Sequence, residues 1–237
     1  MPFDKIEIPT PREIFIRKIQ ERIIKGKLAV GEKLPTEREL EAQTGISKSV
    51  IHFALKDLAQ LGFIEIIPRR GAYVADFARK GSFETLNEIL KYRGGKLSYK
   101  MSVDLCELKN AVEGAALIKL AAEHTKEDIA QLRQALEEFR GIIDNGAELA
   151  EFAHVSSRFH ALICELSGNN MFGLFMNAFS PVGKVLWENC AAFWGGEGFL
   201  EQDEKIIGMI ERGEGQEAQK YIEDIFAQYL EAFASGT

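Results

Sequence analysis

The chain has 237 residues, of which 46% are hydrophobic and 27% are charged, and its formal net charge is −7. This length leaves room for two domains, and the composition indicates a folded chain and not a disordered one. The sequence lacks both an apolar signal core near its start and a run of about 18 apolar residues, so we expect neither secretion nor a membrane span. Three cysteines without metal or disulfide spacing suit a reducing cytoplasm: Cys106, Cys164 and Cys190.

The charge is distributed unevenly along the chain. Residues 1–80 contain 15 Lys and Arg against 11 Asp and Glu, a net charge of +4, whereas the remaining residues contain 14 against 25, a net charge of −11. A basic head on an acidic body favours a localised phosphate-binding surface and a division into two domains.

Three helices are predicted in the basic part of the chain. The first covers residues 11–26, with four apolar residues on one face: Ile14, Phe15, Ile19 and Ile23. Thr36 is a good N-cap for the second, which ends near Thr44 because Gly45 stops it. Ser47 caps the third, whose apolar face is Ile51, Ala54, Leu55 and Leu58. Its opposite face carries Lys48, Ser49, His52 and Lys56, and such a helix can enter a major groove with its N-terminus first.

A hairpin with a basic tip follows the third helix. Gly62 ends the helix, and residues 63–67 and 72–74 are predicted to form two short strands. The turn between them places Arg69 and Arg70 at its tip. Helix, glycine turn, basic-faced helix and basic-tipped hairpin in unbroken order predict a winged helix-turn-helix that binds double-stranded DNA.

Four short motifs lie within about residues 14–74: residues 34–40 (LPTEREL), 45–48 (GISK), 54–55 (AL) and 69–74 (RRGAYV). With these motifs the segment resembles the GntR family of bacterial transcription regulators. By position, the resemblance implies DNA contacts from seven residues: Arg38, Lys48, Ser49, His52, Arg69, Arg70 and Gly71. Lys48 and His52 stand where the family more often has arginine, which removes one bidentate fork suited to guanine. Phe53 points outward, and we expect it either to pack on the first helix or to touch a thymine methyl group.

From residue 82 onward the apolar period is helical throughout. Six breaks interrupt it, at residues 93–95, 125, 144–146, 167–170, 195–198 and 213–215, and they predict about seven helices. The chain is therefore predicted to be mainly α. We assign residues 1–76 to the winged helix-turn-helix domain, 77–82 to a linker and 83–237 to an all-helical bundle.

The helical part contains residues 103–113 (VDLCELKNAVE), 120–125 (LAAEHT), 159–162 (FHAL) and 167–169 (SGN), and it resembles the FCD effector-binding domain of the FadR subfamily. The resemblance implies a homodimer on a palindromic operator and a small-molecule cavity whose occupation moves the DNA-binding heads. Many such domains hold a divalent metal through an aspartate, a histidine four residues later and two further histidines. Here His160 is kept, but Ser156, Asp203 and Ile225 stand at the other positions, so we expect no metal cofactor.

The predicted effector site comprises Lys109, Ser156, His160 and Asp203. Lys109, at a position often arginine in the family, is the candidate cation for an acidic effector; the alternative is a surface lysine on an amphipathic helix. The many aromatic residues between 152 and 199 are mostly expected in the core, although they could also line an apolar pocket. The effector class expected from these features is an organic acid or an acyl compound.

An enzyme and a constitutive DNA-binding protein are the alternatives to a regulator. His160 and Cys164 lie one helical turn apart, but no nucleophile elbow, phosphate loop or dinucleotide fingerprint accompanies them, so we expect no enzyme. A constitutive DNA-binding protein whose helical body only dimerises is the remaining alternative, because a degenerate metal site is compatible with a lost sensor. The sequence thus predicts a cytoplasmic, homodimeric regulator, a repressor by family habit.

Overall fold

The computed structural model describes residues 8–235 and divides into two compact units between Gly95 and Lys96. The first unit contains helices α1 (Pro11–Ile24), α2 (Glu37–Thr44) and α3 (Lys48–Gln60), strands β1 (Ile64–Ile67) and β2 (Gly71–Val74), and helices α4 (Phe77–Lys80) and α5 (Phe83–Tyr92). The second contains α6 (Tyr99–Glu123), α7 (Lys126–Asp144), α8 (Leu149–Leu166), α9 (Asn170–Glu211) and α10 (Gly215–Ser235). The prediction of a mainly helical chain with an N-terminal winged helix-turn-helix is confirmed.

The core of the first unit is built from the apolar faces of α1 and α3. Phe15, Ile19 and Ile23 are buried as predicted, and so are all four predicted residues of α3. Ile14 is an error of the sequence prediction, because 42% of it is exposed. Gln20 is buried in its stead, and its side-chain amide donates to Glu88 of α5 over 3.4 Å. One face of α1 therefore packs against a helix that the sequence assigned to the other domain.

The two helices of the helix-turn-helix begin differently. Thr36 and Glu39 form a capping box, in which the Thr36 amide donates to the Glu39 carboxylate over 2.7 Å. Gly45 then adopts φ +70° and ends α2, because this left-handed conformation strains other residues. Ser47 occupies the N-cap position of α3 as predicted, but within the described residues its hydroxyl makes no capping bond and lies 3.3 Å from Ser49 Oγ.

The wing is a two-stranded antiparallel sheet. Ile64 pairs with Val74 and Ile67 with Gly71, so β2 begins one residue earlier than predicted. A single antiparallel bridge between Lys33 and Tyr73 ties the segment before α2 to the wing. This bridge holds the wing beside the helix pair, which fixes the spacing of the two basic elements.

The predicted linker contains a short helix. Residues 77–80 form α4, and α5 belongs to the first unit, where Thr85 Oγ1 donates to the carbonyl of Leu61 over 2.7 Å. The division between the units therefore falls about a dozen residues later than the expected end of the linker at residue 82. The physical reason is the packing of α5 on α1 and on the end of α3, which is a tertiary contact.

The second unit is a bundle of helices that end where the sequence breaks were predicted. The predicted break at residues 195–198 does not end a helix, because α9 continues through it. It is instead a kink at Gly195, which has the non-helical angles φ +66° and ψ −178°. The three cysteines of this unit are all buried and free. None of the helices within residues 8–235 is both long enough and apolar enough to cross a membrane.

Candidate nucleic-acid interface and buried polar site

A groove of about 740 Å³ lies between α2, the start of α3 and the wing. Six of the seven residues predicted to contact DNA line it: Arg38, Lys48, His52, Arg69, Arg70 and Gly71. The seventh, Ser49, is exposed on the first turn of α3. Lys33 and Lys56 also line the groove, so it gathers six cationic side chains on one surface. Such a concentration of positive charge attracts the phosphates of a nucleic-acid backbone.

His52 is engaged within the groove. Its Nδ1 atom lies 2.7 Å from Glu37 Oε1, so the contact links α3 to α2. The edge of the imidazole ring also lies against Phe53, with 5.8 Å between the ring centroids. A direct DNA contact from His52 is therefore limited to Nε2 unless the contact with Glu37 breaks.

The tip of the wing holds an unusual backbone conformation. Arg69 has φ +63°, in the left-handed region that side chains other than glycine and asparagine rarely adopt. The turn is closed by the Arg70 amide, which donates to the carbonyl of Ile67 over 3.0 Å. Gly71 has φ +114°, and a Cβ atom there would lie 3.1 Å from Lys33 Cε. Glycine at this position would relax the strained backbone, yet the wing tip has a charged residue there. This indicates that the Arg69 side chain has a function, such as contact with DNA.

Phe53 lies half-exposed on the outer side of α3. The guanidinium carbon of Arg12 lies 5.7 Å from its ring centroid, while the same guanidinium donates to Asp57 at 2.5 and 2.6 Å. Phe53 thus contacts the first helix through Arg12, which is one of the two roles expected for it. The DNA contact with a thymine methyl stays a prediction.

In the second unit, three helices bring polar side chains into the core. Lys109 and Glu113 of α6 form a buried ion pair, and the other Glu113 oxygen contacts Nδ1 of His160 on α8. His160 Nε2 lies 3.7 Å from Asp203 Oδ1 of α9. Three of the four predicted effector-site residues are therefore joined in one cluster, which we call the buried site: Lys109, Glu113, His160 and Asp203. Lys109 is not a surface residue.

Aromatic rings surround the buried site. The Lys109 ammonium lies 4.8 Å from the Trp187 ring centroid and 4.7 Å from that of Phe226 on α10, both within the range of cation–π attraction. The His160 ring stacks on Trp187, with 4.6 Å between centroids. The low polarity of these walls strengthens every charge interaction inside the site.

Protonation in the buried site is set by burial and by neighbouring charge. Burial would raise the pKa of Glu113, but the hydrogen bond with His160 and the charge of Lys109 outweigh burial and hold the pKa of Glu113 below its usual value. Burial lowers the pKa of His160, which favours a neutral ring. Burial, followed by the charge of Glu113, raises the pKa of Asp203 well above its usual value. Glu113 therefore ionises readily, whereas burial favours the protonated form of Asp203.

The residues at the metal positions of the resemblance come together in space. His160 and Ile225 line the same small cavity of about 10 Å³, and Asp203 lies beside His160. They do not fit a divalent metal, because Ile225 offers no ligand and the Lys109 ammonium already provides the positive charge next to Glu113. Ser156 is buried, and its hydroxyl has no hydrogen-bond partner within the described part of the chain. Among residues 8–235, no three His, Cys, Asp or Glu side chains are grouped so that they could hold a metal ion.

Sequence reasoning missed Glu113, the fourth member of the buried site, and Phe226, one of the rings around that site. The four-residue spacing of Lys109 and Glu113 indicates an ion pair along one helix. Such pairs are usually exposed, and their burial depends on packing that the spacing does not reveal. His160 and Cys164 do not make a nucleophile pair, since burial raises the pKa of the Cys164 thiol, opposite to what a thiolate nucleophile needs.

The fold and the basic groove define a winged helix-turn-helix DNA-binding protein with a helical second domain. The sequence profile described as "Bacterial regulatory proteins, gntR family" matches residues 13–74, and that of the FCD domain matches residues 104–228, more than half of the chain. The chain belongs to the family of bacterial transcription regulators that join a GntR-type DNA-binding domain to an FCD domain.

Individual relatives agree with this family. The HTH-type transcriptional regulator LutR of Bacillus subtilis (strain 168) is 25% identical over 221 residues, which cover 87% of this chain and 96% of LutR. The galactonate operon transcriptional repressor of Escherichia coli (strain K12) is 24% identical over 205 residues, 84% of this chain and 86% of its own. The Glc operon transcriptional activator of the same organism is 28% identical over 161 residues, 67% and 61% of the two chains.

A solved structure has the same fold. The structure of Lar, which controls the expression of the Listeria monocytogenes agr system, matches with a TM-score of 0.61 at 18% identity. The match covers 95% of this chain and 97% of that one.

Proposed function

We propose that this regulator is a repressor of the FadR subfamily that binds a palindromic operator as a homodimer and responds to a small molecule in its FCD domain. The observation that carries the proposal is the basic groove, in which α2, α3, the wing and Lys33 before α2 present six cations on one surface. Two such heads related by a twofold axis would match a palindromic site.

Repression is the direction expected from family habit. The relatives include both a repressor and an activator by name, so similarity alone leaves the direction open. A protein that occupies an operator tightly can exclude RNA polymerase by occupancy alone. Activation requires a further surface that recruits polymerase.

Selection of operators from random duplex DNA, followed by gel-shift assays at fixed salt, tests the DNA-binding part. We expect Arg38→Ala to weaken operator binding by about tenfold or more, because a specific arginine contact is worth about 1–3 kcal/mol. Arg140→Ala is the matched control, since it removes an exposed arginine of the second unit and should leave affinity unchanged. Equal affinity of wild type and Arg38→Ala would contradict the placement of α2 at the DNA.

The effector site proposed within the FCD domain consists of Lys109, Ser156, His160 and Asp203, without a metal. The acid or acyl ligand expected from the sequence must displace Glu113 from Lys109 before it can use that cation. His160→Ala should leave operator binding intact and weaken the effector response.

Light scattering in the presence and absence of operator DNA tests the dimer.

A constitutive DNA-binding protein is the second candidate. The observation that favours it is the small volume of the cavity beside His160, about 10 Å³, which admits no more than a single water molecule. A change of operator affinity on adding a ligand that binds the FCD domain would exclude this candidate. Unchanged affinity with a ligand demonstrably bound would favour it.

A further inference from the structure

His52 is held in a defined position within the basic groove. It lies one helical turn after Lys48 on α3, and residues near the N-terminus of a helix in the major groove are the ones that reach base edges. Two contacts hold the imidazole: Nδ1 lies 2.7 Å from Glu37 Oε1, and the ring meets the Phe53 ring edge-on. The side chain is 46% exposed, and among residues 8–235 Nε2 has no hydrogen-bond partner. Nε2 is therefore the ring atom left for DNA.

The carboxylate of Glu37 decides which ring nitrogen carries the hydrogen. An ionised carboxylate only accepts hydrogen bonds, so Nδ1 of His52 is the donor in this contact. A neutral imidazole has one such hydrogen, and with that hydrogen on Nδ1 the Nε2 atom is an acceptor. The neutral His52 ring therefore presents a lone pair to DNA.

The other charged side chains of the groove can only donate hydrogen bonds. Six cations line the groove together with Glu37 and His52: Lys33, Arg38, Lys48, Lys56, Arg69 and Arg70. Donors of this kind suit phosphate oxygens and the acceptor atoms of guanine. His52 differs from these cations, because its neutral ring can accept a hydrogen bond from a base edge.

We infer that His52 is a specificity-determining residue that accepts a hydrogen bond from the exocyclic amine of adenine or cytosine, and that Glu37 is the positioning residue that fixes this role. In the major groove adenine N6 and cytosine N4 are donors, whereas guanine O6 and N7 and thymine O4 are acceptors. A lone pair on Nε2 suits the first two bases and is repelled by the other two. The inference rests on the proposed operator binding and names the bases that one residue selects.

The base pair that His52 reads can be located on a selected operator. The full chain selects its operator from random duplex DNA, and each single base-pair change is then tested in gel shifts at fixed salt and at about pH 8, where histidine is ordinarily neutral. The pair in question is the one at which His52→Ala loses discrimination. If His52→Ala keeps the base preferences of the wild type at every position, the inference is overturned, because His52 then reads no base.

Removal of single groups from that base pair identifies the partner of Nε2. Purine in place of adenine, or 2-pyrimidinone in place of cytosine, lacks the exocyclic amine, and a 7-deazapurine lacks the N7 acceptor. We expect loss of the amine to weaken binding of the wild type about fivefold more than that of His52→Ala, a usual effect of one hydrogen bond. The altered base pairing affects both proteins alike, so the difference isolates the contact. Coupling of His52 to N7, or to neither group, would overturn the assigned role.

Glu37→Ala tests the positioning role. It frees Nδ1, so either ring nitrogen can carry the hydrogen, and the coupling between His52 and the amine should largely disappear. Glu21→Ala is the matched control: it removes the same charge from α1, where Glu21 pairs with Lys25 and does not line the groove, and it should keep the coupling. Circular dichroism verifies that both variants fold. Full coupling in Glu37→Ala would refute the role of Glu37.

The failure of this inference is distinguishable from that of the proposed function. If a specific operator is bound while His52 couples to no amine, only the assigned role of His52 is wrong. If no operator is selected from random DNA, the proposed function fails, and the inference fails with it.

Discussion

Replacing Lys109 by methionine should destabilise the second unit strongly. Its side chain is 1% exposed and that of Glu113 is 0% exposed, so solvent cannot screen the charge that remains. Methionine has a similar length and fills the space of the lysine stem, which keeps the cavity contribution small. The variant therefore isolates the loss of the ammonium group from Glu113 and from the two aromatic rings.

The expected magnitude follows from the burial of the pair. Removing one partner of a buried ion pair costs about 3–5 kcal/mol, because the other charge is left uncompensated. His160 contacts the second oxygen of Glu113 and can take up a proton, so we expect the lower end, about 3 kcal/mol. An exposed helical pair of the same spacing is worth less than about 0.5 kcal/mol.

Urea unfolding at neutral pH, followed by tryptophan fluorescence, measures this difference, since Trp187 and Trp194 both belong to the second unit. Lys119→Met is the matched control on the same helix: Lys119 pairs with Glu123 at the same spacing, with side chains 39% and 67% exposed. The double variant Lys109→Met/Glu113→Gln should recover most of the loss, because it leaves no buried charge behind. A loss no larger than that of Lys119→Met would refute the reasoning.

Three further predictions concern single sites. The folded-state pKa of Asp203 is raised above its unfolded value, so this carboxyl group makes the unfolding free energy of the wild type decline as pH rises from about 4. In Asp203→Asn this decline towards neutral pH should be less steep. Parallel pH profiles of the two proteins would contradict this. Thr36→Ala should destabilise the first unit by about 1 kcal/mol in thermal unfolding, whereas no change would mean that the capping box is not formed in solution. Arg69→Gly should change stability by less than about 1 kcal/mol, because relief of the left-handed backbone offsets the added chain entropy, and should lower the salt dependence of operator binding by about one ion; an unchanged salt slope would place Arg69 away from the phosphates.

The sequence predicted the first unit well because its signals are local. The N-cap at Thr36, the glycine at residue 45 and the apolar face of α3 each act within a few residues, and the structure has all of them. The later domain boundary has a tertiary cause. α5 packs against α1 and buries Gln20, and no local pattern in either helix indicates that contact.

The buried site was less predictable for a related reason. Lys109, His160 and Asp203 were singled out by position, but their roles depend on Glu113 and on rings from α9 and α10. A helical Lys–Glu pair at four-residue spacing reads as exposed, and burial reverses its energetics. The resemblance at single positions therefore identified where the site lies. The charge balance within the site depends on the packing of four helices.

Asp203 and Arg69 are the two places where the described chain departs most clearly from local rules, one with an unpartnered buried carboxyl group and the other with a left-handed arginine. Arg69→Gly relieves the left-handed backbone, and Asp203→Asn removes the carboxyl group while keeping the shape of the side chain. Natural sequences usually accept such departures where function requires them. If both were accidents of drift, the replacements would keep or raise stability and leave ligand and operator binding intact. If they serve the two sites, the same replacements keep stability and lose binding, so measuring both quantities on both variants separates the explanations.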